Sequence, residues 1–166
     1  MKNTKSMIST IYQTLHAADS EELEGIYKKW ASNYDHDVVE LAGYVGHLIT
    51  SSLLISKLKN KKAKILDAGC GTGLVGEILL ENNYKNIEGV DFSQEMLDKA
   101  IQKQVYQSLR LVDLTKNLDY EDNLFDSIIC AGTFTCGHVG PKVLLEMVRI
   151  TTVSYTHLTL PTTRCV

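Results

Sequence analysis

No apolar run in this chain approaches the roughly 18 to 20 residues that a membrane-spanning helix needs, and the N-terminal MKNTKSMIST lacks the apolar stretch of a secretory signal. A soluble, cytoplasmic protein with no membrane partner is expected. There is no basic excess either: seventeen Lys and Arg stand against twenty Asp and Glu, a net charge of -3, which argues against a phosphate backbone as ligand. No nucleic-acid partner is expected. The four cysteines, Cys70, Cys130, Cys136 and Cys165, show no C-x-x-C spacing. A chain of 166 residues builds one core without staples, so reduced thiols are expected and a second full domain is excluded. Cys130, Cys136 and His138 match no zinc spacing, and no metal is expected. With 44% hydrophobic and 22% charged residues the composition is that of an ordinary globular chain.

The stretch from Val153 to Val166 breaks every upstream pattern, with no charge before Arg164 and neither helical nor alternating periodicity. It resembles a translated sequencing adapter, and the expectation is a non-native tail at 153–166 with authentic sequence ending near Thr151 or Thr152. The alternative is a genuine disordered or strand-forming C-terminus. His157 and Cys165 are set aside as functional candidates.

There are no internal repeats and no low-complexity linker in residues 1–150. Asp19-Ser20-Glu21-Glu22 has capping-box form and predicts a helix over about 20–32, with Leu23, Ile26, Tyr27 and Trp30 at helical spacing. Val38, Leu41, Ala42, Val45, Leu48, Ile49 and Leu53 predict a second, longer helix ending near Lys59-Asn60. From residue 63 onward strands alternate with helices. Strands are predicted at 63–67, 87–91, 109–112 and 125–131, with helices at 73–80, 94–104 and 141–150. Such alternation implies a doubly wound α/β domain with a parallel sheet covered on both faces, at 61–152, behind a helical N-terminal cap at 1–60.

In open α/β sheets ligands bind beyond the carboxyl ends of the strands. After the first predicted strand comes Asp67-Ala68-Gly69-Cys70-Gly71-Thr72-Gly73, a bare-backbone loop at a helix start. A dinucleotide fingerprint needs a glycine where Leu74 stands; here the third glycine is Gly73. Asp67 beside the loop disfavours a pyrophosphate and favours a cationic amino-acid ligand. Asp91 ends the second strand, 22 residues beyond Gly69, and suits the two hydroxyls of a ribose. Asp113 ends the third and suits an exocyclic amine, with Leu114 as an apolar wall. Each acid taken alone is equally a helix or turn cap.

On these residues the chain resembles the S-adenosylmethionine-dependent methyltransferases of the seven-stranded Rossmann-like fold, over about residues 63–150. Ile65 to Gly73 resembles their first motif, Gly89-Val90-Asp91-Phe92-Ser93 with Met96-Leu97 their second, Asp113 their third and Phe125 to Ile129 their fourth. Trp30 to Val38, together with Ala131-Gly132-Thr133-Phe134 and Gly137 to Pro141, resembles the narrower group of methyltransferase-like proteins named after the Williams-Beuren syndrome region. The resemblance implies S-adenosylmethionine as cofactor. It would place Gly69, Cys70 and Gly71 under the methionine part, Asp91 on the ribose, Phe92 and Met96 flanking the adenine, and Asp113 facing its amino group. Asp67 and Ala68 belong to the same binding motif, and Ala131 would touch the cofactor after the fourth strand.

Methyl transfer is a displacement at an activated carbon, so proximity and a dry pocket carry most of it. His138 is the available general base for an acceptor that must lose a proton; a loop histidine without that task is the plainer alternative. Tyr34 is placed as a lid over the methionine moiety, against simple core packing. The expected function is methyl transfer to a small-molecule acceptor. Alternatives are a non-catalytic cofactor-binding protein and a nicotinamide-dependent oxidoreductase on the same sheet. Oligomeric state is not encoded legibly. Methyltransferases of this fold continue into three further strands, so the expectation is an incomplete domain whose fourth strand forms an aggregation-prone edge.

Overall fold

The computed structural model describes residues 2–134 and 139–152, so the expectations for Cys136, His138, His157, Cys165 and the segment 153–166 lie outside the described residues. The chain opens with three helices, α1 (Lys2–His16), α2 (Ser20–Trp30) and α3 (Gly46–Lys57), with a π-helical turn at His36–Leu41 between the last two. The capping box at the start of α2 is real. Asp19 accepts from the Glu22 amide at 2.9 Å, and Glu22 reaches back to the Ala18 amide at 2.8 Å.

The single long helix expected from Val38 to Lys59 is instead two pieces. Gly43 adopts a φ of +66°, and the Tyr44 amide turns back to the Val38 carbonyl at 3.0 Å, which ends the π turn before α3 starts. Of the apolar residues in that spacing only Val38 is buried, whereas Leu41, Val45, Leu48 and Ile49 are exposed, so the pattern continues across the break without a shared core behind it. α1 was not anticipated as an element: among its described side chains Met7 and Thr14 are buried and Ile11 is half-buried, while Ile8, Tyr12 and Leu15 face solvent.

Then β1 (Ile65–Ala68), α4 (Leu74–Glu81), β2 (Ile87–Asp91), α5 (Gln94–Lys103), β3 (Ser108–Leu111), β4 (Ser127–Ile129) and α6 (Val143–Ile150) follow in alternation. The strands form one parallel sheet in the order β3-β2-β1-β4, so the chain winds outward from β1 in one direction and then crosses to its other side. Register sets Asp67 opposite Gly89 on β2 and Ile129 on β4. Beyond β4, Phe125 makes a parallel bridge with Thr151, closed by the Thr152 amide on the Phe125 carbonyl at 2.8 Å.

Because side chains alternate along a strand, β1 feeds two cores. Leu66 and Ala68 pack with Val90, Phe125 and α6 on one face; Ile65 packs with Val75, Leu79, Tyr84 and Ile87 on the other. Both faces of the sheet are covered, as the alternation of elements requires. The carboxyl ends of β1, β2 and β4 therefore emerge together between β1 and β4, at the switch in strand order, and the N-terminal helices lie over them.

Candidate functional site

The loop after β1 is built on glycines that take left-handed backbone: Gly69 at +75°, Gly71 at +53° and Gly73 at +94°. The amides of Gly69 and Cys70 both donate to the Val90 carbonyl, at 2.8 and 2.9 Å, which pins the loop to β2. A Cβ on Gly69 would collide with Thr133 Oγ1, whereas one on Gly71 would meet nothing within 4 Å. The loop is thus packed against protein at its first glycine and open at its second.

Asp91, at the end of β2, accepts from the Gly71 amide through Oδ2 at 2.8 Å and from the Ser93 amide through Oδ1 at 3.0 Å. Burial pushes its pKa up against the pull of those donors. A carboxylate has about four lone-pair sites, so acceptor capacity remains after these two bonds. Asp67 is only 1% exposed. Its Oδ2 accepts from the Tyr106 hydroxyl at 2.7 Å, while Oδ1 is buried with no partner among the described residues. Burial raises Asp67 to about 7, opposed by the Tyr106 bond and reinforced by Asp91. Tyr106 reaches this carboxyl only because Gly76 leaves room for its ring.

Asp113 lies half-buried after β3, accepting from the amide and hydroxyl of Thr115 at 2.9 and 2.6 Å and pairing with Lys116 at 3.1 Å. Burial alone would raise its pKa, but these partners outweigh it and the net shift is downward. Burial also raises both described thiols, Cys70 well above its usual range and Cys130 to about 12. Neither is a thiolate at neutral pH, so neither is poised as a nucleophile.

An aromatic roof comes from the N-terminal helices. Tyr27 meets Phe92 edge-on at 5.7 Å, and Trp30 holds Tyr34 at 4.9 Å while donating from Nε1 to Asp37 at 2.9 Å. Burial, with a smaller contribution from Asp91, pushes the hydroxyls of Tyr27 and Tyr34 up. Tyr44 stacks on His47 at 5.6 Å and sets its hydroxyl over Gly132, just past β4. Asp35 ties the roof down: it accepts from Thr72 Oγ1 and from Lys103 Nζ at 2.9 Å, and Lys103 also holds Glu77 at 2.7 Å. A cavity of about 220 Å³ lies at this junction, lined in part by Ala31, Asp35, Thr72 and Lys103.

The structure therefore brings Asp67, Gly69, Cys70, Gly71, Asp91, Phe92 and Tyr34 together. Ala68, Met96 and Leu114 sit behind them in the interior, Leu114 at 5% exposure within the core around α6. Ala131 is half-buried at the end of β4, and Asp113 stands at the far side of β2. Tyr27, Asp35, Tyr44 and Tyr106 were missed as site residues. Tyr27 was legible in principle, since seven residues from Tyr34 puts both on one side. Tyr106 follows α5 with no periodic signal.

An open parallel sheet with a glycine turn after its first strand and acids ending the next is the frame of a nucleotide-cofactor domain. Residues 65–153, just over half of the chain, match the methyltransferase domain family, and the chain belongs to it, within the class I S-adenosylmethionine-dependent methyltransferases. Methyltransferase-like protein 27 of Homo sapiens is 33% identical over 124 residues, covering 73% of this chain and 50% of that protein. The 18S rRNA (guanine-N(7))-methyltransferase of Bos taurus is 32% identical over 71 residues, covering 43% of this chain and 25% of that protein. The chain spans half or less of the length of these curated relatives. A Methanococcus maripaludis structure assigned as an S-adenosyl-L-methionine-dependent methyltransferase superposes with a TM-score of 0.62 at 23% identity, covering 75% of this chain and 58% of that one; it supports the fold alone.

One expectation falls here. The absence of a nucleic-acid partner, inferred from a net charge of -3, is overturned by relatives named as 18S rRNA methyltransferases, from Bos taurus, Dictyostelium discoideum and Arabidopsis thaliana. Net charge averages over a whole surface and says nothing of how charge is distributed on it. No helix among the described residues is long and apolar enough to cross a membrane.

The chain's residues fit the cofactor of this family. Bare backbone faces open space at Gly71, Asp91 keeps acceptor capacity beside it, and Asp67 Oδ1, without a partner among the described residues, is free to accept from a donor group.

Proposed function

We propose that this chain is the cofactor-binding part of a methyltransferase that passes the methyl group of S-adenosylmethionine to a small nucleophilic acceptor admitted under the aromatic roof. The observation that carries the reading is the hydrogen bond from the Gly71 amide to Asp91 at 2.8 Å, which sets an open stretch of backbone beside a carboxylate at the switch point. When bound, S-adenosylmethionine supplies a methyl group already activated by its sulfonium centre.

The chain's own residues bind, orient and exclude water. Asp91 accepts from the ribose hydroxyls with its remaining lone pairs. Gly69, Cys70 and Gly71 receive the methionine part, where a side chain at Gly71 would intrude. Asp67, held near neutrality by burial, gains its charge when an ammonium group stands close enough to offset that burial. Phe92, braced by Tyr27, forms the adenine platform with Met96 and Leu114 packed behind it. Asp113 contributes at its edge and Ala131 at the end of β4. Tyr34 and Tyr27 close the cleft, and His138 takes the proton of an acceptor that carries one. The thiols of Cys70 and Cys130 are free, which suits a cytoplasmic setting.

A second acceptor class is favoured by the named relatives: a single RNA base, turned out of its strand to enter the same roofed cleft. Calorimetry with S-adenosylmethionine tests the cofactor site. Release of S-adenosylhomocysteine with a metabolite extract supports the small-molecule acceptor, and release only with RNA supports the base. No heat with the cofactor overturns the site.

A further inference from the structure

The chain's charge is segregated. Lys57 to Lys64 carries five lysines and no acid, and Lys85 stands on the adjoining loop before β2. These six of the seventeen basic residues gather at one end of the sheet, where Asp126 also lies, accepting from the Lys64 amide at 2.7 Å. Both loops lie at the amino end of the sheet, where β1 and β2 begin, opposite the roofed cleft.

Three of these lysines surround one hollow. Lys61, Lys62 and Lys85, with the carboxamides of Asn83, Asn86 and Gln107, line a depression of about 600 Å³. None of the six lysines forms an ion pair among the described residues, although Glu81 is four residues from Lys85 and Asp126 accepts from the Lys64 backbone amide. The ammonium of Lys61 lies over the ring of the buried Tyr84 at 3.9 Å and that of Lys64 over Phe125 at 4.9 Å, cation–π contacts that place these charges without neutralising them.

From this arrangement we infer that the amino end of the sheet is a binding surface for the phosphate backbone of single-stranded RNA. Ammonium groups around a concavity attract successive phosphates, and primary amides both donate to phosphate and accept from 2′-hydroxyls. A bilayer is a poor match, because no lining residue is apolar and a hollow does not lie flat on a membrane. β1 and β2 are four and five residues long, so this end lies roughly 15 Å of strand from the cleft. The surface is separate from the cofactor site and does not depend on which acceptor is methylated.

The test is fluorescence anisotropy of a labelled single-stranded RNA against the 166-residue chain, without turnover. Saturable binding is expected, and three phosphate contacts predict about a twentyfold loss of affinity as salt rises from about 50 to about 200 mM. The triple variant K61E/K62E/K85E should lose at least that much at low salt and flatten the salt dependence. The triple variant K5E/K29E/K142E, with the same total charge, should stay within about threefold of the parent. K61Q/K62Q/K85Q supplies the milder substitution, and unchanged melting temperatures for all three variants confirm folding. No RNA binding by the parent chain overturns the proposal. So does equal loss in the two charge-reversed variants, or tighter binding to polyglutamate or to phosphatidylserine vesicles than to RNA.

Discussion

The two ends of the sheet are opposites. At the carboxyl end, Asp67 and Asp91 are buried beside Tyr27 and Tyr34, and Asp91 is held by two backbone amides while Asp67 is held by Tyr106. At the amino end, Lys61, Lys62 and Lys85 line an open hollow and form no ion pair among the described residues. The first end is built by packing, so substitutions there should disturb folding and affinity together. The second is built by charge, so substitutions there should change binding and salt response alone.

The largest effect expected is at Asp91. Asp91→Ala removes the acceptor for two backbone amides and for the ribose hydroxyls, and should cut cofactor affinity by about a hundredfold or more, since each charge-assisted bond is worth about 1.5 to 3 kcal/mol. Titration calorimetry reads this directly. Next comes Gly69→Ala, where a Cβ collides with Thr133 Oγ1 and φ is +75°; a loss of about 2 kcal/mol in stability by denaturant melt is expected. Gly71→Ala, with open space around its Cβ, should spare stability more and affinity less, and the reverse order would break the distinction between packed and open glycines.

The third effect depends on pH. Asp67 has a folded pKa of about 7 against an ordinary 3.8, so the folded state holds a proton that the unfolded chain has released between those values. Stability conferred by the neutral carboxyl is fully present below about pH 4 and falls as pH rises, by up to about 1.4 kcal/mol per unit, until it levels above pH 7. Asp91 is shifted the same way and adds to the slope. Asp67→Asn cannot ionise and should flatten the profile, giving the variant a higher melting point than the parent at pH 8 and little difference at pH 4. The smallest effect is at the other end: Lys85→Glu should move stability by less than about 0.5 kcal/mol.

Much of this was legible in the sequence because short apolar runs bounded by glycines specify buried parallel strands with little ambiguity. Ile87–Asp91 emerges with its expected bounds, and α5 begins at Gln94 behind the Ser93 cap as expected. The cap region was less legible because the apolar spacing from Val38 to Leu53 continues across the left-handed turn at Gly43, although most of those side chains are exposed. Met96 and Leu114, expected to wall the cofactor, are buried at 2% and 5% exposure. Tyr106 was hidden because its partner, Asp67, is 39 residues away. The run Lys57, Lys59, Lys61, Lys62 and Lys64 reads from sequence as a solvated helix-to-strand turn, and only the fold sets Lys85 beside it.

The hydrogen bond between Gly71 and Asp91 joins positions 20 apart in the chain, and its acceptor is the carboxylate proposed to meet the cofactor. Its amide proton is therefore a built-in reporter. Slow deuterium exchange at that one amide marks the folded loop before any ligand arrives, and a further slowing on titration would record occupancy from the backbone itself, without a label, a chromophore or a methyl acceptor.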